Sequence, residues 1–204
     1  MVDGRPPARP DDEQALADAL PAYELGEPLG WGAFAVVYAA RHKRLDRQVA
    51  VKQLSADVLS HAHAGERFAA EARLLAQLDH PHVVRVYDYV EQGDVHALVM
   101  ERLDGGTLAD RMRRRRVSRE LGCAFGVATL HGLEHAHQHG VLHRDIKPAN
   151  LLFGQRDLLK VADFGIAKLV DESAARMTAT GAALGTPAFM APEQVSRALG
   201  PLSP

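Results

Sequence analysis

His143-Arg144-Asp145-Ile146-Lys147-Pro148-Ala149-Asn150, followed by Asp163-Phe164-Gly165, is the stretch that decides how this chain reads. It sets a carboxylate, an ammonium and an amide close together, then adds a second carboxylate. Asn150 and Asp163 are hard oxygen donors of the kind that suit magnesium, a cation that prefers oxygen and keeps several waters. Lys147 brings positive charge to an anion held near Asp145. Any one of these residues alone is an ordinary turn or cap residue. So many fixed positions in one order do not arise by chance.

Upstream lies Leu29-Gly30-Trp31-Gly32-Ala33-Phe34-Ala35-Val36-Val37. Glycine lets a backbone approach an anion closely and adopt positive φ. By itself the segment is any hairpin, but Val49-Ala50-Val51-Lys52 follows at a fitting distance. With these motifs in this order the chain resembles the protein kinases. Ala35 stands where that family has a third glycine, and Trp31 at the tip points to solvent or substrate.

The resemblance implies an α+β, two-lobed kinase-like fold: a strand-rich N-lobe over 22–102 and an incomplete helical C-lobe over 103–195. Strands are expected between Tyr23 and Leu54, over Val84 to Glu91 and over Val95 to Arg102. A helix is expected from about Ser60 to Leu78, a short one after Gly106, and a longer one from Arg119 to Gln138. Phe68, Ala72, Leu75 and Leu78 recur at helical spacing as an apolar stripe.

The resemblance also implies roles and two cofactors, ATP and Mg2+. Asp145 would accept the proton of the substrate hydroxyl, and Lys147 would reach the transferring phosphate. Asn150 and Asp163 would bind the metal. Lys52 would bridge the α- and β-phosphates and pair with Glu71, which sits beside the apolar stripe. Glu66 is the rival acid but lies further back. Gly30 and Gly32 would cover the phosphates. Leu29, Val37, Ala50 and Leu152 would sandwich adenine. Met100 resembles the gatekeeper, and Glu101 and Leu103 would bond adenine through their backbones. Leu75, Val86, Phe164 and His143 would stack as a hydrophobic spine.

Lys147-Pro148 after Asp145, and Gly185-Thr186-Pro187 before Ala191-Pro192-Glu193, resemble serine/threonine kinases and not tyrosine kinases. Thr186 would bond both Asp145 and Lys147. Small-molecule phosphotransferases lack these segments. Gly165-Ile166-Ala167-Lys168 and Ala191-Pro192-Glu193-Gln194 look like the eukaryotic-like kinases of bacteria. Thr178 and Thr180 resemble paired autophosphorylation sites, and a phosphate there would order its loop by pairing with Arg144. The partners implied are protein substrates with Ser or Thr acceptors and a second kinase copy as a homodimer.

Composition is that of a globular protein: 204 residues, 47% hydrophobic and 25% charged. A net charge of −2 gives no broad case for nucleic acid or membrane binding. The single cysteine, Cys123, excludes an internal disulfide and fits the reducing cytoplasm. No apolar run is long enough to span a bilayer, and the N-terminus lacks a signal-peptide core. Residues 1–21, with several Pro, Asp and Arg, read as a disordered leader.

Two features attract sharper readings. Arg113 to Arg116 reads as a solvated face, against a docking patch or an autophosphorylation site at Ser118. His131, His135, His137 and His139 suggest a metal cluster at first sight, but read better as the end of the longer helix. After Glu193 the kinase pattern stops. Residues 196–204 read as a non-kinase tail, because Gly200, Pro201 and Pro204 cannot belong to the apolar helix that the family places next. The 204 residues alone are therefore expected to be weakly stable and poorly active. The alternative function is a truncated, catalytically inactive nucleotide-binding or regulatory kinase fragment.

Overall fold

The structure, a computed structural model, describes residues 10–32, 35–60, 63–114, 117–164 and 187–195. Their contacts divide into two compact units, one built from residues up to Ala72 together with Val86–Arg102, the other from Arg73–Arg85 and the residues from Leu103 onward.

The first unit is a five-stranded antiparallel sheet with helices. Its strands are β1 (Tyr23–Trp31), β2 (Ala35–His42), β3 (Arg47–Leu54), β4 (Val86–Gln92) and β5 (Val95–Glu101), in the order β1-β2-β3-β5-β4. The helices are α1 (Pro10–Ala19), the short α2 (Ala56–Leu59) and α3 (Ala64–Leu75), the last running on into the second unit. Valine-rich β3 and β5 are the buried central strands, as expected where β-branched side chains pack on both faces.

Strand register sorts the side chains into two faces. Val51 lies opposite Tyr38 and Val99, and with Ala40, Val49, Val95 and Ala97 these form one apolar core. Lys52 lies opposite Val37 and Leu98, and Ala50 opposite Ala39 and Met100, so these six share the other face. α3 packs on that second face. A Cβ at Gly65 would stand 2.5 Å from the His96 ring, so the helix start can approach only without a side chain. Phe68 meets the Tyr89 ring edge-on at 5.8 Å.

α1 covers the first face and corrects the expectation of a disordered leader over residues 10–20. Leu16, Ala19 and Leu20 are buried in the sheet's core, Leu16 fully. Their i, i+3, i+4 spacing is one helical face. Pro10 is the first described residue of this helix. Burial raises the pKa of the Tyr38 hydroxyl, and Glu13 and Asp12 of α1 raise it further. Residues 1–9 lie outside the described residues.

The second unit is built on α5 (Arg119–Gln138) with α4 (Leu108–Arg114), the two-stranded sheet of β6 (Leu151–Phe153) and β7 (Leu159–Val161), and α6 (Pro192–Val195). Ser118 caps α5 by accepting the Leu121 amide at 3.3 Å, so the hydroxyl weighed as a phosphate acceptor has a structural duty. Gly140, at φ 74, ends the helix in the left-handed conformation that glycine tolerates. Of the arginine run, Arg113 pairs with Asp110 at 2.6 Å; just before the run, Arg111 lies over the Phe153 ring and pairs with Asp157 at 2.6 Å. Residues 115–116 lie outside the described residues.

The loop before β4 is fastened to α5 and β7 by histidines. Its close approach requires Gly132, where a Cβ would stand 2.7 Å from the His82 carbonyl oxygen. His82 Nδ1 donates to the Leu159 carbonyl at 2.8 Å. His80 stacks on His135 with ring centroids 5.2 Å apart, and His135 meets His139 at 4.6 Å. His80 Nδ1 accepts the His82 amide at 3.1 Å, a role that only an unprotonated Nδ1 can fill. Burial lowers the His80 pKa, and His135, His82, His131 and Lys160 lower it further.

A histidine whose folded pKa is depressed gives stability that is complete above the unfolded value of about 6.5 and is lost as pH falls below it. His143, lowered chiefly by burial, acts in the same direction. The urea midpoint is therefore expected to fall between pH 7.5 and pH 5.5, and His80→Asn to shrink that fall without removing it, since His143 remains. An unchanged midpoint in the wild type, or the same fall in the variant, would refute the assignment.

Candidate active site

In the first unit, Lys52 sits in the middle of central strand β3, 7% exposed. The register pairs it with Val37 on one side and Leu98 on the other. Gly30 lies opposite Val37, so Gly30, Val37 and Lys52 form a row across three strands. Ala50 and Met100 form the next row. Leu29 and Trp31 on β1 are both exposed. The Gly32 amide donates to the Ala35 carbonyl at 2.9 Å, closing the hairpin. Ala35 pairs in register with Leu54 and is buried, so the strand accommodates a methyl at the position where the resemblance expected a third glycine. Residues 33–34 lie outside the described residues.

Glu71 lies one turn after Phe68 on α3, the helix that packs on the Lys52 face. Its rival Glu66 is exposed and pairs with His63 at 3.0 Å. Glu101 ends β5 and is half-buried.

In the second unit the residues around Asp145 form one hydrogen-bonded lattice. Lys147 Nζ lies 2.7 Å from Asp145 Oδ2. Asn150 Nδ2 donates to the same Oδ2 at 3.0 Å and to the Asp145 carbonyl at 2.8 Å. The Asp145 amide donates to His143 Nδ1 at 3.2 Å, and His143 Nε2 donates to the Ala162 carbonyl at 2.7 Å. These two bonds need a neutral imidazole with its proton on Nε2, and burial supplies that by depressing the His143 pKa.

Asp163 is tied to this loop through its neighbour. The Ala162 amide donates to the Asn150 carbonyl at 2.9 Å while the Ala162 carbonyl accepts from His143. The Asp163 side chain is exposed, and its backbone has φ 61, in the left-handed region that aspartate tolerates better than most residues. Phe164 is buried with its ring 4.7 Å from His143, which gives two members of the expected spine in contact. Leu75 is buried as well, and Val86 half-buried.

The segment after Leu103 pairs by its backbone with the β6 strand that carries Leu152. Gly105 N donates to the Phe153 carbonyl at 2.9 Å, and Phe153 N to the Gly106 carbonyl at 3.0 Å. Both leucines are half-buried. Thr178, Thr180 and Thr186 lie outside the described residues.

These side chains fit magnesium by their chemistry. Asn150 commits its amide nitrogen to Asp145, so the amide oxygen is the hard ligand it carries for a cation. The exposed Asp163 carboxylate is a second. Among the described residues no group of three or more His, Cys, Asp or Glu could hold a metal. Two protein oxygens are nevertheless the usual share for magnesium, whose other ligands are substrate phosphates and water.

A family model for the protein kinase domain matches residues 23–201. The chain belongs to the protein kinase family. A probable serine/threonine-protein kinase of Streptomyces coelicolor is 42% identical over 177 residues, covering 84% of this chain and 26% of that protein. The serine/threonine-protein kinase PknB of Mycobacterium tuberculosis is 40% identical over 177 residues, covering 84% of this chain and 28% of its own length. The chain thus spans about a quarter of the length of these relatives. Among solved structures, the kinase domain of M. tuberculosis PknI matches with a TM-score of 0.65 at 31% identity, over 71% of this chain and 60% of that one. Rad53 in complex with AMP-PNP matches with a TM-score of 0.65 at 30% identity, over 76% of this chain and 43% of that one. Among the described residues no helix is long and apolar enough to cross a membrane.

Proposed function

We propose that the chain carries the catalytic machinery of an ATP-dependent serine/threonine protein kinase of the bacterial, eukaryotic-like kind. The observation that carries this reading is the lattice in which Lys147 and Asn150 both bind Asp145 Oδ2, with Asp163 tied to the same loop through Ala162. Lys147 and Asn150 take up one carboxylate oxygen of Asp145, which leaves the other to accept a hydrogen bond, and then a proton, from a substrate hydroxyl. Lys147, held at the same carboxylate, stands ready to meet negative charge arriving beside that hydroxyl. Asn150 and Asp163 would hold magnesium, which when bound neutralises charge on phosphate oxygens.

From the first unit, Lys52 would pair with the α- and β-phosphates and with Glu71. Gly30 and Gly32 would lie over the phosphates. Leu29, Val37, Ala50, Met100, Glu101, Leu103 and Leu152 would receive adenine. A nucleotide analogue is bound by the structural relative Rad53, which supports ATP as the donor here. Thr186 would select a small alcohol as acceptor, and Thr178 and Thr180 would be phosphorylated by the kinase itself. The cytoplasm, with its ATP, is the compartment this reading requires.

The test is incubation of the full-length protein with Mg-ATP and peptides offering Ser, Thr or Tyr. Phosphoserine or phosphothreonine, dependent on magnesium, is expected. Phosphotyrosine alone, or no transfer to any peptide or to the protein itself, would overturn the reading.

A further inference from the structure

The peptide group joining Arg144 to Asp145 is held at both ends. Its N–H, which belongs to Asp145, donates to His143 Nδ1 at 3.2 Å. Its carbonyl, which belongs to Arg144, accepts a hydrogen bond from Gln194 Nε2. The next peptide group is held through the Asp145 carbonyl by Asn150. Both planes flanking the Asp145 Cα are therefore fixed, and two of the three residues that hold them, His143 and Asn150, belong to the loop itself. Gln194 is the exception, reaching in from α6.

Gln194 is itself held, because its Oε1 accepts the Ala191 amide at 3.0 Å. The orientation of the amide is settled by chemistry: only the nitrogen can donate to a carbonyl, and only the oxygen can accept from an N–H. A glutamine serves both partners at once; a glutamate of the same shape cannot donate to Arg144. The carbonyl it grips belongs to a strained residue, since Arg144 has φ 65, a left-handed conformation unfavourable to a side chain with a Cβ. Such a conformation persists only where neighbours impose it.

We infer that Gln194 is a positioning residue: it holds the Arg144–Asp145 peptide plane, and through it the carboxylate, so that turnover depends on residues 191–194 being seated on the catalytic loop. The inference rests on the kinase reading above. It adds a residue whose part is to orient the base, with no contact to ATP or metal.

The experiment compares wild type, Gln194→Glu and Gln194→Leu in the full-length protein. Misplacement of a catalytic group by a fraction of an ångström is expected to lower kcat roughly 10- to 100-fold in both variants, with KM for ATP within about twofold of wild type. Hydrogen exchange should quicken in residues 143–150 and stay unchanged over α5. Unchanged kcat would overturn the inference. A loss of kcat accompanied by faster exchange over α5 as well would also overturn it, as general damage to the unit. If the wild type transfers no phosphate, the kinase reading fails, while the exchange of residues 143–150 still decides whether Gln194 holds the loop.

Discussion

Asp145→Asn is expected to lower turnover by roughly 10²–10⁴-fold, the range for loss of a general base, or about 2.7–5.4 kcal/mol of transition-state stabilisation. The lattice explains why the effect should be catalytic and not structural. Asp145 Oδ2 faces two donors, Lys147 Nζ at 2.7 Å and Asn150 Nδ2 at 3.0 Å. An asparagine there would turn its amide oxygen toward those donors, keeping both contacts. Its NH2 would then occupy the position of the other carboxylate oxygen, where the substrate hydroxyl needs an acceptor. The Asn150 bond to the residue 145 carbonyl does not depend on the side chain. Phosphate incorporation should therefore collapse with little change in the melting temperature. Turnover close to wild type would show that Asp145 is not the base.

Much of this site is legible in sequence because its chemistry is local. Asp145, Lys147 and Asn150 lie within one loop, and their spacing alone brings three polar groups to one point. The second function of Asn150, bracing Asp145 through its amide nitrogen, is not visible in a motif that marks it only as an oxygen ligand. Gln194 is the opposite case. It meets Arg144 across fifty positions of chain, and nothing in a tetrapeptide such as Ala191-Pro192-Glu193-Gln194 says which backbone carbonyl its side chain will find.

The strands follow the expected pattern closely, and the longer helix runs over the expected residues, Arg119–Gln138, because Ser118 and Gly140 mark its ends in the chain. α3 (Ala64–Leu75) is shorter at both ends than the helix expected from about Ser60 to Leu78. Leu78 is buried, but from a turn after the helix, so a helical spacing of apolar residues outlasts the helix itself.

α1 was hidden by composition. Pro and Asp near the N-terminus outnumber the large apolar side chains and read as disorder, yet a proline followed by acidic residues is also how a helix begins. The deciding signal is the small set Leu16, Ala19 and Leu20, too few to register against their polar neighbours. The consequence is measurable. Leu16→Ala and Leu20→Ala are each expected to cost about 2–5 kcal/mol, the range for truncating a buried leucine in a core that cannot fully collapse. Both side chains lie in the cluster with Tyr38, Val49, Val51 and Val99, so the double variant should depart from additivity. Trp31, the chain's single tryptophan, stands on β1 of the same unit and reports its unfolding in urea by fluorescence. A disordered leader predicts the other result, because substitutions away from packed features stay within about 0.5 kcal/mol. A midpoint unmoved by either leucine variant would return residues 10–20 to that description, and would leave the sheet face formed by Tyr38, Val49 and Val51 without the helix that covers it.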